Sequence, residues 1–345
     1  MKRIHRPRLG LLALALALHA GMTVAAPAAP GATAPAAGTA EQIKLNMVPL
    51  PSSRQQIDTT MNSRLTMTLQ LPADATEQAR AGAAELQKLM PLRMTTVMRQ
   101  TLSTTALDQD GAYRLEADAV TLKSEMRNAY GQPQTVPKAP SVLMTATIKA
   151  DRLESPTIKT AELSPEEEQL MPKEAREQVY KQAFDWLSKF NGVALKVGES
   201  VEMPLDLALP TGPRGFNGRL IAKYTLKAIN KGVASFDIDV RMEMNAAAAS
   251  PAASEASAAE SAELAAALAS TKATMTGSGK MDLRLADRLT LRNTMTMRMG
   301  MDLEPQPGQK MRMDMEMDMV GIGKALPAAK KPAAPASPAK PATKG

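Results

Sequence analysis

The chain is expected to be α+β and mostly antiparallel, on three observations. Apolar and polar residues alternate with period two through most of its middle. The alternation is one-sided, as in antiparallel sheets with one apolar face. Near the centre, a capped segment with helical periodicity interrupts it. The clearest alternation is KMRMDMEMDM (Lys310–Met319), where Met stands at every odd position from Met311 to Met319.

The N-terminus reads as a secretory signal over residues 1–25. Lys2, Arg3, Arg6 and Arg8 precede an apolar run from Leu11 to Met22, and small residues follow. That run is too short to span a bilayer. Cleavage is expected near Ala25, which places the protein in the periplasm with no transmembrane segment. Residues 26–53 form a linker, opening with an Ala/Pro/Gly stretch unable to bury a core.

A β-rich domain is expected over residues 54–323. Met61, Leu65, Met67, Leu69 and Leu71 alternate with polar residues, as do Phe236, Ile238, Val240, Met242 and Met244. Val197, Val201, Met203, Leu205, Leu207 and Leu209 share one parity, as do Met281, Leu283 and Leu285. In Tyr113–Met126 the parity changes near Ala119–Val120, which reads as a bulge. Turns are expected at Asp108–Gly111, Asn230–Gly232 and Ala286–Arg288.

Helix is expected at Ala75–Met90, which is Ala-rich, and centrally over residues 164–191. There Ser164 caps, Pro165 sits at N1 and Glu167 at N3, and Val179, Ala183, Trp186, Leu187 and Phe190 make an apolar face. Trp186 is expected to pack on the sheet. A low-complexity insertion, residues 246–270, contains an Ala-rich helical stretch. The Lys/Pro/Ala tail, residues 324–345, has no apolar periodicity and is expected to be disordered.

Composition excludes several functions. There is no Cys, and both His, His5 and His19, lie within the signal. The rest of the chain lacks the commonest general base, the thiol nucleophile and the usual zinc ligands. The net charge of +7 misleads. Setting aside four basic residues in the signal and five in the tail leaves 33 of the 42 Lys and Arg against 35 acids. A near-neutral domain does not suggest a nucleic-acid surface. Ser337–Lys340 matches a Ser-x-x-Lys pattern but lies in the tail. Gly277–Lys280 lacks phosphate-loop spacing and opens a strand. No enzyme is expected, and no cofactor.

The two Met segments dock by arithmetic. If partner numbers sum to 614, Leu303 faces Met311, Met301 faces Met313, Met299 faces Met315, Met297 faces Met317 and Met295 faces Met319. On the other face Glu304 meets Lys310, Asp302 meets Arg312 and Arg298 meets Glu316. Opposite charges across a strand pair contribute ~0.2–1 kcal/mol each, so the polar face selects this register. Thioethers suit Cu(I), but same-face neighbours in a sheet stand well apart, and Leu or Ile holds the equivalent face elsewhere. An apolar face, Met295, Met297, Met299, Met301, Met311, Met313, Met315, Met317 and Met319, is therefore the candidate ligand surface, with Cu(I) binding a lesser alternative. Met is adaptable and suits varied apolar shapes.

The segments FNGVALKVGESVEMPL (Phe190–Leu205) and GSGKMDLRLADRLTLRNTMTMRM (Gly277–Met299) resemble, in pattern, periplasmic lipoprotein carriers of the LolA/LolB type. They also look like uncharacterised secreted Met/Thr-rich β proteins of Gram-negative bacteria. The resemblance implies a strongly curved, half-barrel-like sheet around helices and an apolar cavity for acyl chains. The expected function is then a non-enzymatic periplasmic protein that binds an apolar ligand or lipidated partner. The alternative is a structural or interaction protein of the cell envelope with a packed sheet core. The expected partners are a lipid or lipidated protein, with weak contact of the basic tail to anionic surfaces.

Overall fold

The computed structural model describes residues 42–136, 141–160, 190–209, 216–244, 272–306 and 309–327. Their side of the chain is mostly β. Strand β1 (Gln42–Lys44) is followed by β2 (Arg54–Gln70), helix α1 (Glu77–Leu89), β3 (Leu92–Thr104) and β4 (Ala112–Arg127). Then come β5 (Pro133–Gln134), β6 (Val142–Lys149), β7 (Arg152–Thr160), β8 (Ala194–Lys196), β9 (Ser200–Leu209) and β10 (Phe216–Asn230). The last four strands are β11 (Val233–Met244), β12 (Lys272–Arg284), β13 (Leu289–Gln306) and β14 (Gln309–Ala325).

One antiparallel sheet runs β7-β6-β4-β3-β2-β14-β13-β12-β11-β10-β9, with β5 beside β4. It consists of two meanders joined where β2 pairs with β14, from Lys310↔Gln70 to Ala325↔Gln55. The sheet is open, with β7 and β9 as its edges.

The expected α+β class is therefore corrected: among the described residues the fold is mostly β, an open antiparallel sheet that is not closed into a barrel. The single helix among the described residues is α1. Thr76 caps it, accepting from the Ala79 N–H at 3.2 Å. Only Ala83 of its thirteen residues is buried, so its Ala-rich sequence provides helix propensity but little packing surface. Sequence reading underweighted the strands because inward residues of β3 (Met94, Thr96, Met98, Gln100) mix polar with apolar and dilute the alternation. The expected helix and Trp186 lie outside the described residues, apart from Phe190 and Asn191, which sit in a turn. The expected helical insertion and the expected signal also lie outside them, and so do the residues beyond 327.

The expected turns are present. Asp108 accepts from the N–H groups of Asp110 and Ala112 at 2.9 and 2.8 Å, and Asn230 pairs with Val233 around Lys231–Gly232. The bulge in β4 lies slightly beyond its expected place: Met98 opposes Thr121 and Val97 opposes Lys123, leaving Leu122 as the extra residue. The β13–β14 register is the expected one from Met295↔Met319 to Leu303↔Met311. It then shifts to Gln306↔Gln309, so the Glu304–Lys310 opposition is absent from the ladder.

Close backbone approach requires glycine in the centre of the sheet. A Cβ at Gly279 would stand 2.1 Å from Thr294 O, and one at Gly323 would stand 2.0 Å from Thr290 O. Both positions let strands coil more tightly than a side chain permits.

Candidate functional site

Inward residues of the sheet build one continuous apolar cluster, from Met144 and Ile148 in β6 to Met203 and Leu205 in β9. Its two ends differ. At the end where β2 begins and β14 finishes, here the lower end, a ribbon fills the inner face. β1 pairs with β8 (Ile43↔Leu195). The ribbon continues through Leu45 N–H to Val193 O at 2.7 Å and Gly192 N–H to Leu45 O at 3.0 Å. Its own Ile43, Leu45, Met47, Val48, Phe190 and Leu195 are all buried. Phe190 meets Tyr224 edge-on, with ring centroids 5.0 Å apart.

Polar contacts hold this ribbon to three parts of the sheet. The Tyr113 hydroxyl donates to Pro49 O. Arg288, in the β12–β13 turn, donates to Val48 O at 2.7 Å and to Asp151 at 3.0 Å. The Asn191 amide donates to Asp151 O. Asp151 lies in the β6–β7 turn. Five strand spacings separate β6 from β13, about 24 Å in a flat sheet. The Arg288–Asp151 contact therefore shows that the lower end curls back on itself. Burial, with the Asp151 carboxylate adding to it and Arg288 opposing, raises the Tyr113 pKa to about 12. Burial also raises Tyr224 above the ordinary tyrosine range.

The methionine face spans both ends. Met295, Met297, Met299, Met317 and Met319 are buried, and Met61, Met275 and Met281 join them. Met301, Met311, Met313 and Met315 are half-buried, as are Leu65, Met67 and Leu69 on the adjoining strand. All nine candidate methionines thus share one face, in the pairs Met295–Met319, Met297–Met317, Met299–Met315 and Met301–Met313, with Met311 opposite Leu303. They divide into a covered lower set and a less covered upper set.

The opposite face is wet and charged. Arg298 and Glu316 approach to 3.5 Å, Arg312 and Asp302 to 3.5 Å, and Arg312 also binds Asp314 through two hydrogen bonds of 3.0 Å. Both cross-strand pairs are the ones that charge arithmetic selected.

Sequence reading missed the β1–β8 ribbon, because three-residue strands carry no measurable alternation. The signal that existed was LNMVPL (Leu45–Leu50), an apolar run inside a segment otherwise read as linker. Among the described residues no three His, Cys, Asp or Glu gather as metal ligands. No helix among them is long and apolar enough to cross a membrane.

No family model and no curated protein matches the sequence. Among solved structures, the chain is similar to a chain of the ETEC pilotin–secretin AspS–GspD complex. Identity is 7% and the TM-score 0.12, over 79% of this chain and 48% of that one. The chain spans about half of that chain's length, and so distant a likeness carries no argument about fold or function.

Proposed function

We propose that the chain is a non-enzymatic periplasmic protein that holds an apolar ligand, the acyl chain of a lipid or of a lipidated partner, against the upper methionine face. The observation that supports this is the continuation of one apolar face beyond its cover. Met295, Met297, Met299, Met317 and Met319 are buried, whereas Met301, Met311, Met313 and Met315 remain half-buried in the same row. Half-exposed apolar surface is costly in water, and flexible thioethers fit acyl chains of varied shape without a fixed cavity.

Lipid mass spectrometry of the purified protein tests this reading. A recurring acyl species is expected to co-purify, and Met313→Gln with Met315→Gln is expected to remove it. Absence of any acyl species from protein extracted under mild conditions would favour the alternative, an envelope protein whose sheet is packed only for its own stability. Cu(I) titration under reducing conditions distinguishes the remaining reading. Stoichiometric uptake lost in Met315→Leu would assign the row to copper, since Leu preserves the apolar volume but removes the sulfur ligand.

A further inference from the structure

Three arginines stand side by side on the wet face of the sheet. Arg64 of β2 is directly opposite Arg93 of β3, and Arg93 is directly opposite Arg127 of β4. All three are exposed. The β4 bulge produces this alignment: the extra residue Leu122 restores the parity that points Arg127 outward beside Arg93. Like charges directly opposite each other destabilise a strand pair, so the row is an arrangement that a bound anion would relieve.

The nearest acids in the ladder are engaged elsewhere. Glu316, opposite Arg64, approaches Arg298 at 3.5 Å. In the neighbouring row, Asp318 accepts from Thr296 at 2.7 Å and Glu125 pairs with Lys123 at 3.1 Å. Among the described residues Arg64 and Arg93 make no ion pair, and Arg127 spends one donor on Gly131 O at 3.0 Å. That contact ties the third arginine to the loop bearing Tyr130, which is 66% exposed. The N–H of Ala129, which precedes Tyr130 in the loop, donates to Leu89 O at 3.1 Å, and Leu89 is itself exposed. Leu122, 50% exposed, lies on the same strand as Arg127.

We infer that this row is a docking site for the phosphates of an anionic lipid surface, with Tyr130, Leu89 and Leu122 as its apolar contacts. Guanidinium groups bind phosphate oxygens in pairs. Exposed aromatic and aliphatic side chains beside basic ones suit the headgroup boundary better than they suit water. The inference does not rest on the acyl-ligand reading, since vesicle binding and acyl co-purification are separate measurements.

Sedimentation of the full chain with vesicles of phosphatidylglycerol and phosphatidylethanolamine provides the test. Each of Arg64→Gln, Arg93→Gln and Arg127→Gln is expected to weaken binding about five-fold, and the triple variant on the order of a hundred-fold, at fixed low salt. Lys231→Gln removes the same charge from a turn at the lower end and is expected to leave binding unchanged. Arg93→Lys keeps the charge and is expected to retain most binding. The basic C-terminal residues are common to all variants and cancel in the comparison. Thermal unfolding of the Gln variants is expected at or above the wild-type temperature, because the changes relieve like-charge contact. Equal losses in Lys231→Gln and the arginine variants would overturn the row as a site, leaving net charge as the cause. Calorimetric binding of inorganic phosphate that the triple variant loses, without vesicle binding by the wild type, would overturn the lipid surface in favour of a free anion.

Discussion

The two ends of β14 carry the same sequence pattern and meet different fates. Met317 and Met319 are buried, facing Met297 and Met295 across the ladder, whereas Met311, Met313 and Met315 on the same face are half-buried. Nothing in KMRMDMEMDM separates these positions. The lower residues share their level of the sheet with the ribbon of residues 42–48 and 190–196 and with the Arg288–Asp151 contact. The upper ones lie towards the β13–β14 tip. Period-two alternation therefore states which face is apolar, not what covers it.

Loosening the ribbon at the lower end is expected to cost most. Phe190 is fully buried and meets Tyr224 edge-on. Phe190→Ala is expected to destabilise by roughly 3–5 kcal/mol in urea unfolding, as for other large-to-small core changes. A loss below ~1 kcal/mol would mean that the ribbon contributes little and that the two ends differ less than their burial suggests.

Next comes the methionine pair that defines the contrast. Met319→Gln places an amide in the buried set and is expected to cost about 2–4 kcal/mol, because the amide loses water without gaining partners. Met313→Gln, in the half-buried set, is expected to cost about 1 kcal/mol or less, since its amide keeps part of its water. Chemical denaturation of both variants checks the ratio; equal losses would show that the upper face is as closed in solution as the lower.

Alkaline pH acts on the lower end alone. The Tyr113 pKa is raised to about 12 by burial, with Asp151 adding to the shift. A group whose folded pKa is raised holds its contribution fully below the unfolded value, near 10 for tyrosine. That contribution is expected to be lost as pH rises from about 10 through about 12, loosening the lower end first. Tyr113→Phe lacks the ionisable hydroxyl and is expected to flatten this part of the stability profile. Hydrogen exchange of the ribbon amides at alkaline pH checks it; unchanged protection across this range in the wild type would contradict the assignment.

The smallest effect belongs to the wet face. Glu316→Gln removes an exposed pair with Arg298 at 3.5 Å and is expected to change stability by no more than about 1 kcal/mol, less at high salt. A larger loss would mean that the outer charges do more than choose the register.

Legibility followed the range of the interactions. The Met hairpin could be docked from sequence because two long strands offer many cross-strand pairs, and the charges Asp302–Arg312 and Arg298–Glu316 penalise the other registers. The β4 bulge was visible as a change of parity, although its exact residue, Leu122, depends on where β3 lies opposite. The ribbon was not legible, because Gln42–Lys44 finds its partner at Ala194–Lys196, about 150 residues later, and three residues are too few to show a period. The arginine row escaped notice for a similar reason: Arg64, Arg93 and Arg127 are far apart in sequence and become neighbours only through two ladders.

Alternation and nearest-neighbour charge act over a few residues and one turn, so they establish the inner face, the outer face and the β13–β14 register before any long-range contact forms. Long-range folding sets the joining of the two meanders at β2 and β14, the deeper burial of the lower methionines and the alignment of the three arginines. Each depends on contacts between segments distant along the chain, whose free energy appears only once the intervening loops have closed.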